Sequence, residues 1–474
     1  MLGRLSEDAL ELAELHRFPQ PVGLEGGHER WKLDRLLAEV MTGLHAVGRQ
    51  QLADPAEIRS VGVDGWGVDY GLLDDGGALI ENPVCYRDSR TDGMLEALLD
   101  KMPVEQIYAN TGIQLMPINT SVQILAQVES GEWPPQAKRL LMIPDLIHCH
   151  LSGVSTGEVT NASTTQLLDA GTREWDAQML RAVGVAPEIM PSLVQPGTRL
   201  GSLLPEHRAS TGLSRLEVVA PATHDTASAV AGTPLSPGWA FLSSGTWSLL
   251  GIETSGPALG DEARRRNITN EAGVCGTNRL LKNVMGLWLL ESCRRIWNSE
   301  GIGVSHEELL SGLQGTAIGA VHIDVDDTRF LNPDNMVEEI GSYLGERGQT
   351  IPSSPVGFAR LILESLALRC AQVLDDLMAV RSREVQGIHV VGGGSRNDFL
   401  NQALASATGL TVRAGPVEAT TIGNIVLQAI ADKALEDHSA ARTFIAGISS
   451  VRVFQPRDAD RWATARKLFR MTST

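Results

Sequence analysis

The chain has 474 residues and a formal net charge of −17, from 40 Lys and Arg against 57 Asp and Glu. Hydrophobic residues make up 43% and charged residues 20% of the sequence, a balance that excludes disordered and fibrous classes. The acidic charge excludes nucleic acid or an anionic membrane surface as the main partner. Five cysteines without paired spacing indicate a reducing compartment, so we expect a cytoplasmic protein.

The first half of the chain combines strand patterns with helical ones. Short apolar runs in residues 60–83 predict strands, and the Asp-Gly-Gly sequence at 75–77 predicts a hairpin turn. Helical periodicity covers residues 94–126. Residues 216–232 predict a buried strand, a proline-containing turn and a helix.

A segment of small residues and prolines, TPLSPG at 233–238, predicts a domain boundary. We therefore expect one lobe from 1 to 232 and a second from 233 to 474.

The second half repeats the order of elements in the first. Residues 239–254 predict two strands folded about Ser244-Gly245, residues 355–380 a long helix, and residues 387–409 a strand, a glycine turn and a helix. The repeated order predicts an α/β protein of two related lobes with a ligand cleft between them.

A threonine, a histidine and two further polar residues lie where the predicted strand of 216–232 meets its helix: Thr223-His224-Asp225-Thr226. Asp225 there could serve as a helix cap, because a carboxylate is stabilised at a helix amino terminus. It could equally act as a general base that orients and deprotonates a substrate hydroxyl. The spacing alone favours neither.

Two glycine-containing turns could approach a phosphate. The turn in LSSGTW, which includes Thr246, presents hydroxyl and backbone N–H groups, although an ordinary hairpin has the same pattern. Gly392-Gly393-Gly394 follows a predicted strand and precedes a helix, which would let backbone approach a nucleotide. It lacks the spacing of both the dinucleotide fingerprint and the P-loop.

Two acids and two glycines share the strand sequence VDGWGVD at 63–69. Glycine within a strand often marks the close approach of a ligand or another backbone. Asp64 or Asp69 could reach a hydrated Mg²⁺, but two carboxylates do not define a metal site.

Taken in this order, the motifs make the chain similar to the carbohydrate kinases of the FGGY group. The matching stretches extend from about His16 to about Pro456 and include VDGWGVDYGLLD, TNASTTQLLD, THDTASAV, LSSGTWSLLG, NITNEAG, LKNVMGLWLL and VVGGGSRNDFLNQ. The resemblance implies two actin-like (ribonuclease H-like) lobes with a central ligand cleft, ATP and Mg²⁺ as cofactors, and L-rhamnulose as the phosphoryl acceptor.

The resemblance also implies roles for single residues, and Asp225 would be the catalytic base. The residues implied to contact the ketose are Gly67, His224, Asp225, Thr226 and Asn283. The residues implied to hold ATP are Thr246 and Gly393. Glu291 stands where the family usually has a glutamine near the nucleotide, and a carboxylate is less favourable there, so that role is not transferred.

One family motif, a strand and turn of the form Asp-Leu-Gly-Ala-Ser-Ser-Gly-Arg that grips phosphate and places Mg²⁺, has no match. Residues 1–5 align directly after it, so the resemblance predicts a first lobe without its first strand and poor turnover. Three readings therefore remain: an L-rhamnulose kinase, a kinase of another ketose or polyol, and a sugar-binding pseudokinase.

Overall fold

A computed structural model of the protein describes residues 1–49, 54–313 and 319–472. The chain forms two units, each built from three segments. Unit 1 comprises Met1–Pro234, Glu253–Arg279 and Thr420–Ile448, and unit 2 comprises Leu235–Ile252, Leu280–Ala419 and Ser449–Thr474. The predicted division at 232/233 took each lobe as one continuous stretch. In the structure, two later segments, 253–279 and 420–448, belong with unit 1 because the chain returns to it twice.

Unit 1 combines short strands with helices, and its secondary structure falls into three sets. The strands are Leu2–Leu5, Leu10–Ala13, Val22–Glu25, His28–Trp31, Ser60–Val61, Tyr70–Leu73, Arg139–Met142, Gly157–Glu158, Leu193–Val194, Thr198–Ser202, Glu217–Ala220 and Thr269–Ala272. The α-helices are Leu33–Arg49, Met94–Lys101, Val104–Thr111, Thr120–Glu129, Ile143–Ser152, Val159–Ala162, Ala177–Val183, Pro205–Thr211, Asp225–Ala231, Asp261–Arg265 and His438–Ile448. The 3₁₀ helices are Ser89–Thr91, Ser163–Thr165, Pro187–Ile189 and Val274–Gly276.

Unit 2 has longer helices and a larger sheet. Its strands are Ala240–Ser244, Gly387–Val391, Thr411–Ala414 and Arg452–Phe454, and its α-helices are Trp288–Ser299, His306–Gly312, Met336–Glu346, Pro355–Arg381, Asp398–Thr408 and Ala459–Thr472. Its 3₁₀ helices are Thr328–Phe330 and Gly393–Arg396. The boundary between the units falls at or within three further elements: the strands Trp247–Thr254 and Asn278–Met285 and the helix Ala419–Ala431.

A small sheet in unit 1 brings two loops together. Strand Glu217–Ala220 pairs antiparallel with Thr198–Ser202 on one side and parallel with Ser60–Val61 on the other. Val218 and Ala220 are buried in the apolar core, which fixes the face of the strand. Because the carboxyl ends of parallel strands lie at the same edge, residues after Val61 and after Ala220 meet there.

The predicted elements of the first half are largely present. The turn at 75–77 forms, with Gly77 at φ 80°, and the strand before it, Tyr70–Leu73, pairs antiparallel with Arg139–Met142. The helical region 94–126 is divided into three helices rather than one continuous run. The predicted strand, turn and helix of 216–232 are Glu217–Ala220 and Asp225–Ala231.

In unit 2 the predicted strands form the middle of one sheet. Ala240–Ser244 pairs antiparallel with Trp247–Thr254 and parallel with Gly387–Val391, which is itself parallel to Thr411–Ala414. The predicted long helix extends over Pro355–Arg381 and packs on Asp398–Thr408. The order of elements predicted for residues 387–409 therefore agrees with the structure.

Within the described ranges, none of the helices has both the length and the apolar character that crossing a membrane requires.

Candidate functional site

Backbone hydrogen bonds fix the position of Asp225. It is the first residue of the helix Asp225–Ala231, which follows the strand Glu217–Ala220. Its amide donates to the carbonyl of Gly65 (2.8 Å), and the Gly65 amide donates to the carbonyl of Thr223 (2.9 Å). The loop after Ser60–Val61 and the loop that carries Asp225 are therefore held edge to edge.

The carboxylate of Asp225 is anchored at one oxygen. Its Oδ1 accepts hydrogen bonds from the Thr226 amide (2.5 Å) and the Thr226 hydroxyl (3.2 Å), while the side chain stays 45% exposed. No bond to Oδ2 occurs among the described residues, so that oxygen is available to accept a proton. Thr226 is buried and directs its hydroxyl to Asp225, which makes it a support of the carboxylate.

His224 lies beside Asp225 in a buried ionic cluster. Its Nε2 is 3.4 Å from Asp225 Oδ1, and its Nδ1 is 3.1 Å from a guanidinium nitrogen of Arg279. Arg279 also pairs with Glu271 at 3.1 Å and donates to the carbonyl of Ala272. The guanidinium is fully buried, so its charge is compensated by Glu271 rather than by water.

Gly67 is held close to the loop that contains Thr223 and His224 by side-chain amide and hydroxyl groups. A Cβ added to Gly67 would lie 2.7 Å from Thr164 Oγ1, which leaves no room for a side chain. The Asn161 amide donates to the carbonyls of Trp66 (3.3 Å) and Thr223 (3.4 Å). Asn161 thereby joins the segment of Gly67 to the segment of His224.

A buried glutamate holds the residue that precedes His224. Glu158 Oε2 accepts from the amide and the hydroxyl of Thr223, both at 2.8 Å, and from the hydroxyl of Thr160. Burial raises the pKa of Glu158, and these hydrogen bonds act in the opposite direction. The carboxylate thus fixes the turn on which His224 and Asp225 stand.

The two acids of VDGWGVD have different surroundings. Asp69 is fully buried and accepts hydrogen bonds from Trp31, Trp66 and Gln123, so its oxygens are used inside the fold. Asp64 is half-buried and accepts from the Asn424 amide at 2.5 Å. Burial raises the pKa of Asp64 to about 7, and the nearby carboxylate of Asp225 adds to the rise. Of these two acids, only Asp64 lies near Asp225.

A cavity of about 730 Å³ adjoins Asp64 within unit 1. The strand Leu2–Leu5, residues 57–64 and the helix Ala419–Ala431 contribute to its walls. Ser60–Val61 is paired on one edge with Glu217–Val218, and its other edge faces this cavity.

In unit 2 the two predicted nucleotide turns lie side by side. Ala240–Ser244 and Gly387–Val391 are parallel neighbours, with Ser243 opposite Val391, and each strand ends in one of the turns. Thr246 is exposed, and its carbonyl accepts from the amides of Gly286 (3.1 Å) and Trp288 (3.2 Å). The structure therefore brings together Thr246 and the glycine turn, as the carboxyl ends of neighbouring parallel strands require.

The three glycines of that turn have different roles. A Cβ at Gly392 would lie 2.9 Å from the Ser244 carbonyl oxygen, and one at Gly394 would lie 2.0 Å from Ser244 Oγ. A Cβ at Gly393 would have no atom within 4 Å, and Gly393 is exposed. Gly392 and Gly394 thus permit packing against Ser244, whereas Gly393 borders open space.

Asn283 and Glu291 also belong to unit 2. Asn283 is half-buried in the strand Asn278–Met285, and its predicted contact with the sugar stays a prediction. Glu291 is exposed on the helix Trp288–Ser299 and pairs with Arg294 at 2.6 Å.

Sequence reasoning missed the residues that support the loop: Glu158, Asn161, Glu271 and Arg279. Asn161 lies in TNAST and Glu271 in NITNEAG, two of the motifs that carry the resemblance. Their polar residues offered a signal of a buried network, but their partners are far away in the chain. Arg279 lies in no such motif, so its role required the structure.

Family models match both halves of the chain. The model described as the FGGY family of carbohydrate kinases, N-terminal domain, matches residues 12–232, and the corresponding C-terminal domain matches residues 240–431. A rhamnulokinase of Enterococcus faecalis is 40% identical over 96% of this chain and 91% of its own length. A rhamnulokinase of Bacillus subtilis is 38% identical over 97% and 93%.

Solved structures share the fold at low sequence identity. A ligand-bound xylulose kinase from Lactobacillus acidophilus superposes with a TM-score of 0.77 at 17% identity, over 96% of this chain and 91% of that one. The Plasmodium falciparum glycerol kinase with ADP gives a TM-score of 0.75 at 15% identity, over the same shares of the two chains. These likenesses support the predicted two-lobe α/β kinase fold.

Proposed function

Because the chain belongs to the FGGY family of carbohydrate kinases, we propose that it transfers the terminal phosphoryl group of ATP to the primary hydroxyl beside the ketone of L-rhamnulose. Family membership confirms the assignment made from the motifs. The acceptor is supported by relatives named rhamnulokinase, which are 38–41% identical across at least 94% of this chain. The product is L-rhamnulose 1-phosphate.

The observation that carries the mechanism is the half-exposed carboxylate of Asp225, which is anchored at Oδ1 by Thr226. In this proposal, Oδ2 accepts the proton of the sugar hydroxyl while the hydroxyl oxygen attacks the terminal phosphorus of ATP, and ADP leaves as the bond to that phosphorus breaks. A loose transition state demands alignment of the hydroxyl more than a strong base, so an ionised aspartate suffices. His224, in the loop that carries Asp225, and Gly67, in the loop after Ser60–Val61, contact the sugar.

Unit 2 holds the nucleotide in this proposal. Thr246 supplies a hydroxyl, and the turn at Gly393 allows phosphate or ribose to approach the backbone because no atom fills the space beside it. Asn283 contributes to sugar binding.

Mg²⁺ is the expected counter-ion of the transferred phosphates. The described residues contain no group of three or more His, Cys, Asp or Glu side chains that could enclose a metal. Mg²⁺ usually binds through one or two carboxylates together with water and substrate phosphates, and the neighbouring carboxylates Asp64 and Asp225 fit that pattern. When bound, the ion neutralises charge on the phosphates, and Asp64 is the residue that would hold it.

A coupled ATP-turnover assay with L-rhamnulose, L-fuculose, D-xylulose and glycerol tests the proposal. We expect the highest kcat/KM for L-rhamnulose, because the relatives that support the proposal are named rhamnulokinase. A higher kcat/KM for another acceptor would contradict L-rhamnulose as the substrate, whereas the assignment as a carbohydrate kinase would stand. Sugar binding by calorimetry without turnover of any acceptor would contradict the proposal and favour the sugar-binding pseudokinase.

A further inference from the structure

Arg279 is a charged residue that the proposed reaction does not use, although it touches one that does. Its guanidinium is fully buried and is fixed by three partners: the Ala272 carbonyl (3.1 Å), Glu271 (3.1 Å) and Nδ1 of His224 (3.1 Å). A planar guanidinium can serve several acceptors in fixed directions, which an ammonium cannot. The arrangement therefore defines the orientation of the His224 ring.

The contact with Arg279 also defines which nitrogen of His224 carries the proton. Arginine has donors and no acceptor, so the nitrogen that faces it must accept. Nδ1 is then bare, and the proton of the neutral ring resides on Nε2. Nε2 is the nitrogen that faces Asp225, at 3.4 Å from Oδ1, on the half-exposed side of the loop.

Glu271 offers the competing arrangement. Its Oε2 is 3.4 Å from Nδ1 of His224 and could accept a proton carried there. In the intact cluster Arg279 occupies the same carboxylate at 3.1 Å and places a positive charge next to Nδ1. Both effects oppose a proton on Nδ1. Arg279 therefore favours the tautomer of His224 with the proton on Nε2, whereas Glu271 alone would favour the tautomer with the proton on Nδ1.

We propose that Arg279 is a positioning residue for sugar binding, which holds His224 as the Nε2–H tautomer and presents that N–H beside Asp225. The catalytic consequence rests on the proposed function, in which His224 contacts the ketose. We expect replacement of Arg279 to weaken sugar binding about 10–100-fold, the range found for residues that orient a metal-ligating histidine.

Imidazole nitrogen NMR on protein labelled with ¹⁵N-histidine reads the tautomer without sugar or ATP. The chain has 11 histidines, and His224→Gln identifies the signals of His224. We expect a bare Nδ1 and a protonated Nε2 in the parent protein. In Arg279→Met, we expect a proton on Nδ1, where Glu271 becomes its acceptor.

Two further variants keep the test decisive. Arg279→Lys retains a charge if the methionine variant fails to fold. Its single nitrogen cannot reproduce both directed hydrogen bonds, to His224 Nδ1 and to the Ala272 carbonyl, together with the ion pair to Glu271, so the Nδ1 signal should still change. Arg30→Met is the matched control, because Arg30 is another buried arginine of unit 1 that pairs with one carboxylate, Glu81, at 3.0 Å. It should leave the His224 signals and kcat/KM unchanged.

Kinetics then separate positioning from folding. We expect Arg279→Lys to raise KM for L-rhamnulose about 10–100-fold with little change in KM for ATP. A parent protein with Nδ1 protonated, or unchanged His224 signals in a folded Arg279 variant, would overturn the inference. The expected tautomers in a protein without kinase activity would instead contradict only the proposed function.

Discussion

The two units hold their predicted site residues by different means. In unit 1, the strand Ser60–Val61 is two residues long, and the neighbouring loop that contains Thr223 and His224 is fixed by the side chains of Glu158, Asn161 and Arg279. In unit 2, Thr246 and Gly393 stand at the ends of two parallel strands within a larger sheet.

The difference reflects what each region is proposed to bind. A sugar is recognised by directed hydrogen bonds from side chains, and those side chains need partners that set tautomer and rotamer. Phosphate is recognised by backbone groups, and a turn between rigid strands supplies them without a supporting network. We therefore test unit 1 by replacing side chains and the glycine turn of unit 2 by adding side-chain atoms.

The largest effect is expected for Asp225→Asn. The amide keeps the shape of the carboxylate but cannot take the proton, so kcat should fall about 10²–10⁴-fold while L-rhamnulose still binds. Steady-state kinetics and calorimetry measure the two quantities. Asp100→Asn, on an exposed helical position of unit 1, is the control and should behave as the parent does. Activity of Asp225→Asn within a few-fold of the parent would exclude Asp225 as the base.

The glycine turn of unit 2 allows a paired test of packing. Gly394→Ala places a Cβ 2.0 Å from Ser244 Oγ, and we expect the free energy of unfolding to fall by about 1–3 kcal/mol. Gly393→Ala meets no atom within 4 Å and should stay within about 0.5 kcal/mol of the parent. Denaturant titration compares them. Equal stability of the two variants would show that the turn does not pack on Ser244 as described.

Gly393→Val tests the same turn for nucleotide binding. The larger side chain enters the space assigned to ATP, so the Kd for ATP should rise about tenfold, the effect of roughly 1.4 kcal/mol. The Kd for L-rhamnulose should not change. If calorimetry showed weaker sugar binding with unchanged ATP binding, the assignment of Gly393 to the nucleotide would be wrong.

Hydrogen exchange compares the strands themselves. Val61 lies on a two-residue strand at the edge of its sheet, whereas Val390 is fully buried in a strand that is paired on both sides. We expect the amides around Val61 to exchange at least about tenfold faster, because local opening there breaks fewer contacts. Similar protection of the two strands would contradict the contrast between the units.

A smaller effect concerns the pH dependence of stability. The pKa of Asp64 is about 7 in the folded protein and near 3.8 when unfolded, so between these values the folded state keeps a proton that the unfolded state releases. Asp64 therefore lowers stability as pH rises from about 4 to 7. Asp64→Asn removes this loss. The free energy of unfolding of the variant, relative to that of the parent, should therefore increase by roughly 1–3 kcal/mol between about pH 4 and pH 7. A difference that is constant with pH would show that Asp64 is ionised throughout.

The sequence was most informative where a pattern is local. The strands and turns around Ser244 and Gly393 are encoded by short apolar runs and glycines, and they are present as predicted. Periodicity predicts the helical character of residues 94–126 but not the division into three helices, because it does not mark short interruptions such as Met102-Pro103.

Contacts between distant residues could not be predicted in this way. Asp64 and Asp69 look equivalent in VDGWGVD, and the structure distinguishes them by the tryptophan and glutamine donors around Asp69 and by the Asn424 donor at Asp64. The bond from Arg279 to His224 spans 55 residues and joins segments without a shared pattern. The segments 253–279 and 420–448 join unit 1 for the same reason: their partners lie far earlier in the chain.

The most direct measurement of the central claim is the structure of the reaction product. The protein is incubated with ATP, Mg²⁺ and L-rhamnulose, and the product is examined by ¹³C and ³¹P NMR. We expect one ADP for each sugar consumed and phosphorus coupling at C1, the carbon of the primary hydroxyl that Asp225 is proposed to deprotonate. Phosphate on another carbon, or ATP hydrolysis with the sugar unchanged, would contradict the account.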